Sequence, residues 1–208
     1  VTGPELTRHT TCDHDRPVLV WRFDGPRLVA STATVGGGIG ERAWLLNAQV
    51  PLGYDRVDLD AHVGEIAAEL GLAGPGVGLL TAAALTPRGL AVDDHLVASA
   101  SVGVSKPTWA ADTDDAVSAW VPGTINVVVE VPVRLTHAAL LNAIVTATEA
   151  KSQALFERSV PGTGTASDAV CITCPPDGPA EVFAGPRSPW GSRIARAVHE
   201  AVLEGFDG

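Results

Sequence analysis

The segment Thr124-Ile125-Asn126-Val127-Val128-Val129-Glu130-Val131 restricts the fold of this chain more than any other feature. Its β-branched run favours a strand and reads as continuous core, without the strict alternation of a strand that has one wet face. Such a strand needs cover, and three segments can supply it. From 59 to 72, Leu59, Val63, Ile66, Ala67 and Leu70 recur at helical spacing, with Asp58 as N-cap. A longer helix is predicted over 135–158, with Leu141, Ile144, Val145, Thr148 and Leu155 on its apolar face. Ser188 before Pro189 predicts the start of a third, burying Ile194, Val198, Ala201 and Val202.

Further strands are predicted at 17–23 and 27–35, joined as a hairpin by Asp24-Gly25-Pro26, and at 43–50 and 77–84. Others follow as a long strand ending near 104, one at 168–174 and a short one at 181–184. The expected fold is α/β (mixed α+β): a single domain over 17–208, with a mixed β-sheet core and three main helices. Residues 1–16 lack periodicity and are expected to form an N-terminal arm or loop. Val29 to Gly36 resembles Leu96 to Gly103, and each is followed by a strand, a helix and a Gly-x-Gly turn into another strand. This suggests a duplicated strand–strand–helix–strand unit around a pseudo-twofold.

Composition narrows the function. Hydrophobic residues are 46% and charged residues 18% of the 208, which is globular and not disordered. The 14 Lys and Arg against 24 Asp and Glu leave a formal charge of −10, which argues against a nucleic-acid partner. No apolar run is long enough for a bilayer span, no leader is apparent, and three cysteines do not make a disulfide framework. The expectation is a cytoplasmic protein without a membrane partner; a homo-oligomer is compatible with the sequence.

His9, Cys12 and His14, and the Cys171/Cys174 pair, are ligand types, but on a strand residues three apart face opposite ways. No metal is expected. The glycines at 36–40 and 162–164 lack the flanking pattern of a phosphate loop and read as tight turns or close backbone approaches. Arginine outnumbers lysine 12 to 2, so Lys106 and Lys151 stand out as places where a compact ammonium is wanted. Lys151 flanks the apolar stripe of the long helix, whereas Asn142, Thr146 and Glu149 share a polar one. Asp168 follows the Gly162-Thr163-Gly164-Thr165 turn. The 105–122 connection, with Trp109 and Trp120, is long enough to be a lid.

From about Ser31 onward these segments resemble the adenosylcobinamide amidohydrolase family of corrinoid salvage. The most specific are Pro122-Gly123-Thr124-Ile125-Asn126, Thr148-Glu149-Ala150-Lys151, Gly162-Thr163-Gly164-Thr165-Ala166-Ser167-Asp168 and Gly185-Pro186 to Gly191. Asn47, Leu80-Thr81-Ala82-Ala83 and Ser101-Val102-Gly103-Val104-Ser105 add weaker matches. The resemblance implies hydrolysis of the amide between aminopropanol and the corrin ring, with the corrinoid as substrate and no cofactor.

On these motifs the catalytic candidates are Thr124, Asn126, Glu149, Lys151 and Asp168. Glu149 or Asp168 would activate water, while Lys151 and Asn126 would stabilise the oxyanion. Asn47, Gly123, Gly162, Thr163, Gly164 and Thr165, with Trp109 and Trp120 as lid contacts, are the candidates for substrate binding. Two other readings stay open: a corrinoid carrier without chemistry, and a self-processing amidase with Thr124 as nucleophile.

Overall fold

The computed structural model describes residues 3–12, 14–85, 89–113 and 123–206. In chain order the elements are β1 (Glu5–Thr11), β2 (His14–Ser31), β3 (Gly38–Gln49), α1 (Leu59–Glu69), β4 (Gly76–Thr81), β5 (Leu90–Asp93), β6 (Leu96–Gly103), β7 (Thr124–Glu130), β8 (Arg134–Leu135), α2 (His137–Glu157), β9 (Ala169–Cys174), β10 (Ala180–Glu181) and α3 (Pro189–Gly205). They form one α/β domain around a mixed eight-stranded sheet of order β4-β3-β2-β9-β7-β6-β5, with β1 added along β2; β8 and β10 make a separate short pair. Among the described residues no helix is long and apolar enough to cross a membrane.

Both faces of the sheet are buried. Val18 and Val20 on β2, with Trp44, Leu46 and Ala48 on β3, pack under α1. Farther along β2, Leu28 and Ala30 join the β6, β7 and β9 residues that α2 and α3 cover. The alternate residues of β2, Leu19, Trp21 and Val29, meet Leu45, Leu79, Val128 and Cys171 in an inner cluster that no helix covers. Asn126 on β7 bonds to Asn47 on β3 at 2.9 Å. In a flat sheet those strands would stand three steps apart, roughly 14 Å. The sheet therefore curls, bringing its two halves together face to face with the helices outside.

The strand–strand–helix–strand connectivity occurs twice, as β2-β3-α1-β4 and β6-β7-α2-β9. The pairing makes β2 and β6 run the same way, and likewise β3 and β7, so the units lie in line along the sheet. The shared topology does not by itself show a duplication.

Other expectations change. Residues 5–11 are a strand and not an arm: β1 pairs with β2 in continuous register and buries His9 and Thr11. Asp24-Gly25-Pro26 makes no hairpin, because β2 runs through it with a register shift between Arg22 and Arg27. The long strand ending near 104 is instead a hairpin, turned by Asp94 and His95 at φ 48° and 66°. Both residues take the left-handed conformation that a two-residue hairpin loop requires, without a glycine to announce it. Asp58 holds the N-cap position of α1, but its carboxylate pairs with Arg56 instead of the helix N–H groups. Ser188 does cap α3, accepting from Gly191 N at 3.0 Å.

The buried face of α2 is not the one its large apolar residues suggest. Ala139, Ala143, Ala147, Ala150 and Ala154 face inward with Leu140 and Leu155, while Leu141 and Val145 are each 54% exposed. Alanines let α2 approach α3 and the sheet closely, so packing distance decides the face and not hydrophobicity. Ala147→Leu should therefore cost about 1–3 kcal/mol through overpacking, whereas Leu141→Ala should stay within about 0.5 kcal/mol. Urea denaturation of the two variants checks the assignment.

His9 and His62 are buried, and desolvation holds both imidazoles below their usual range, though Gln49 O and Glu69 pull His9 upward and Glu65 pulls His62 upward. Below about pH 6.5 the unfolded chain binds protons that the folded chain refuses. The stability from keeping them neutral is complete above that pH and lost as pH falls toward the lowered folded values. The urea midpoint should drop between pH 7.5 and 5.5, less steeply in His9→Gln.

Candidate functional site

The ends of several strands frame one cleft. The loop after β3 (residues 50–58), the end of β4, the segment following β2, and the beginnings of β7 and β9 enclose about 440 Å³. That lies in the usual range for small-molecule sites, about 300–1,000 Å³. Val35, Leu52, Leu79 and Ala169 supply apolar wall; Thr81, Thr124, Asn126 and Ser167 supply polar groups. Tyr54, Asp55 and Arg56 line the loop side.

Asn126 is held in a defined orientation. Its Nδ2 lies 3.1 Å from the Leu80 carbonyl, which can only accept, so the nitrogen must face that way. The same nitrogen donates to Asn47 Oδ1, and Asn47 Nδ2 donates to Ser101 Oγ at 2.9 Å. Both Asn126 amide protons are thereby committed. The oxyanion-donor role expected for Asn126 does not fit, because the atom left for a ligand is its carbonyl oxygen, an acceptor. Thr124 Oγ1 and Ser167 Oγ are 2.8 Å apart, and Ser167 Oγ also reaches the Gly123 carbonyl at 3.0 Å.

Lys151 and Asp168 form a buried ion pair that does not line the cleft. The Asp168 carboxylate also accepts from Ile125 N at 2.9 Å, Thr165 N at 3.1 Å and the Thr165 hydroxyl. Lys151 and the two backbone N–H groups hold both carboxylate oxygens, and the Thr165 hydroxyl shares its one proton between Asp168 and the Gly123 carbonyl, so Asp168 organises the turn and ties it to β7. Thr165 Oγ1 reaches the Gly123 carbonyl at 2.6 Å, which links this group to Thr124. A Cβ on Gly164 would strike Asp168 and Lys151, and one on Gly162 would lie 2.6 Å from the Thr108 carbonyl oxygen. These glycines are therefore packing requirements.

Thr163 N donates to Thr108 O and Thr108 N to Gly164 O, both at 2.9 Å, which leaves Trp109 exposed beside the turn. Trp120 lies outside the described residues, as does half of the proposed lid, 114–122. Glu149 is exposed on α2 and is not brought to the cleft. Of the sequence candidates, Thr124 and Asn126 line it, Asn47 and Gly123 stand directly behind them, and Gly162, Thr163, Gly164, Thr165 and Asp168 form the adjoining turn, to which Lys151 of α2 is paired. Sequence reasoning passed over Tyr54, Asp55 and Arg56; their place on a loop between a strand and a helix was the available signal.

Among the described residues no group of three or more His, Cys, Asp or Glu is placed to hold a metal. Cys171 joins the inner cluster and Cys174 the cluster beneath α2, so they face opposite sides of β9.

The family model for adenosylcobinamide amidohydrolase (CbiZ) matches residues 3–208. The chain belongs to the adenosylcobinamide amidohydrolase family. It is thus an amidohydrolase of cobinamide salvage, a hydrolase of a C–N amide bond. The adenosylcobinamide amidohydrolase of Methanosarcina mazei is 30% identical over 187 residues, 86% of this chain and 90% of the relative. That of Halobacterium salinarum is 37% identical over 86 residues, 41% of this chain and 37% of the relative. The crystal structure of the PH0078 protein from Pyrococcus horikoshii OT3 shares the fold, with a TM-score of 0.51 at 13% identity, covering 99% of this chain and 84% of that one.

Removing one member of a buried pair strands the other charge. Asp168→Ala should lower stability by about 3–5 kcal/mol, read from urea denaturation. A loss below about 1 kcal/mol would mean that Lys151 finds water or another partner.

Proposed function

We propose that the cleft is where adenosylcobinamide loses its aminopropanol arm. Water adds to the amide carbon and the C–N bond breaks, giving adenosylcobyric acid and 1-amino-2-propanol. The observation that carries this is the opening of Thr124 and Asn126, from the most family-like segment of the chain, into the cleft beside Ser167. In this reading the Asn126 carbonyl oxygen accepts from the amide N–H or the hydroxyl of the aminopropanol. Ser167 gives its proton to the Gly123 carbonyl, so it is the Thr124 hydroxyl that turns its proton from Ser167 Oγ toward the amide carbonyl oxygen as charge develops there. Lys151 and Asp168 act as positioning residues, fixing Thr165 and the first residues of β7. Glu149 has no chemical part.

The three cysteines stand as free thiols, which supports a reducing, cytoplasmic setting.

Purified protein incubated with adenosylcobinamide should release 1-amino-2-propanol. Thr124→Val and Asn126→Leu should each lower turnover by about 100-fold with the far-ultraviolet dichroism unchanged. Absence of release by the wild-type protein from any cobinamide form would overturn the reading.

A further inference from the structure

Tyr54 lines the cleft, and behind it runs a file of buried groups that the reading above does not use. Its hydroxyl lies 2.6 Å from His62 Nδ1 on α1, and His62 Nε2 lies 3.1 Å from Thr11 Oγ1 on β1. Thr11 Oγ1 is 3.1 Å from His9 Nδ1, and His9 Nε2 is 2.9 Å from the Gln49 carbonyl oxygen at the end of β3. His9, Thr11 and His62 are 1%, 4% and 3% exposed, so bulk water does not interrupt the file.

The far end sets the direction of every bond. A carbonyl oxygen only accepts, so His9 carries its proton on Nε2 and its Nδ1 is bare. Thr11 then donates to His9, and its oxygen accepts from His62 Nε2–H. That leaves His62 Nδ1 bare, and Tyr54 donates to it. The phenolic oxygen keeps its lone pairs while its own proton rests against a base, on a residue that lines the cleft. Burial lowers both imidazoles and raises the Tyr54 phenol, which keeps the resting file neutral. The charged or titratable groups around it are Arg56, Asp58 and Glu65 beside His62 and Tyr54, Cys12 near Tyr54, and Arg16 and Glu69 near His9. Of the other ionisable groups on the cleft wall, Arg56 is bound by Asp58 and Glu65 and cannot accept a proton, and Asp55 is exposed.

We propose that Tyr54 is a catalytic acid–base residue of the amide hydrolysis, with His62 holding its proton and Thr11 and His9 as positioning residues. This rests on the reading that the cleft hydrolyses adenosylcobinamide. As the water oxygen bonds to the amide carbon, one water proton passes to Tyr54 Oη and the phenolic proton passes to His62 Nδ1. His62 is then an imidazolium, still donating to Thr11 through Nε2. When the tetrahedral intermediate collapses, the C–N bond breaks and the leaving nitrogen takes the proton from Tyr54 Oη. His62 returns its proton to the phenolic oxygen, and the file is restored with no net charge gained.

Tyr54→Phe tests this directly, since it removes only the oxygen and keeps the ring stacked 5.3 Å from His62. Its kcat for aminopropanol release should fall at least about 100-fold, the scale of general acid–base catalysis, with KM within about threefold of wild type. His62→Gln still bonds to Tyr54 but cannot hold a proton. It should show a similar kcat loss and abolish the acid limb that His62 protonation gives the wild-type kcat profile. A merely structural role would change stability and leave that limb in place. An active wild type with Tyr54→Phe within threefold in kcat overturns this proposal alone; a wild type that releases no aminopropanol overturns it together with the functional reading. If His62→Gln does not fold, the Tyr54→Phe result decides by itself.

Discussion

The hydrogen bond from Asn126 to Asn47 joins two strands that have two others between them in the sheet, and it forms only because the sheet folds over on itself. Much else follows from that fold. The inner cluster around Leu45, Val128 and Cys171 is dry because the halves close on each other, so the helices are left to cover the outside. Closure also brings the end of β4 near the start of β7, and the cleft opens where the strands stop. The site is thus the unfilled mouth of the core, walled by residues whose backbone already belongs to the sheet.

Polar groups inside such a fold are costly unless each finds a partner. Those near the cleft do: Asn47 and Asn126 share a network with Ser101 and Leu80 O, and at the far end of β7 Trp21 donates to Glu130 Oε1 at 3.1 Å. Saturation of this kind distinguishes frame from chemistry. Asp168 has donors on both oxygens and holds a turn. Asn126 has an acceptor to spare, and so does the oxygen of Tyr54. The groups able to meet a ligand are the ones whose hydrogen bonding is incomplete.

Much of this was legible in the sequence. β7, the limits of α2 and the Ser188 cap follow from β-branching, periodicity and capping chemistry, and Thr124 and Asn126 stand at the start of the strand that reads most clearly. What was hidden depends on tertiary partners. β1 reads as polar because His9 and Thr11 are satisfied by groups far along the chain. α2 is misread because closeness of approach outweighs side-chain size. Asp94 and His95 turn a hairpin without a glycine. Lys151 was legible as unusual, yet only the fold reveals that its ammonium is wanted by Asp168, in a space that Gly164 leaves open.

Among the described residues β1 pairs with no strand but β2, with Glu69 of α1 clasping Thr10 and His9 reaching the end of β3, yet it carries two members of the file that ends at Tyr54. A peripheral strand of this kind detaches more readily than the interior strands. Warming should therefore silence the enzyme before it melts, because one frayed strand strands the proton while the rest of the fold stands.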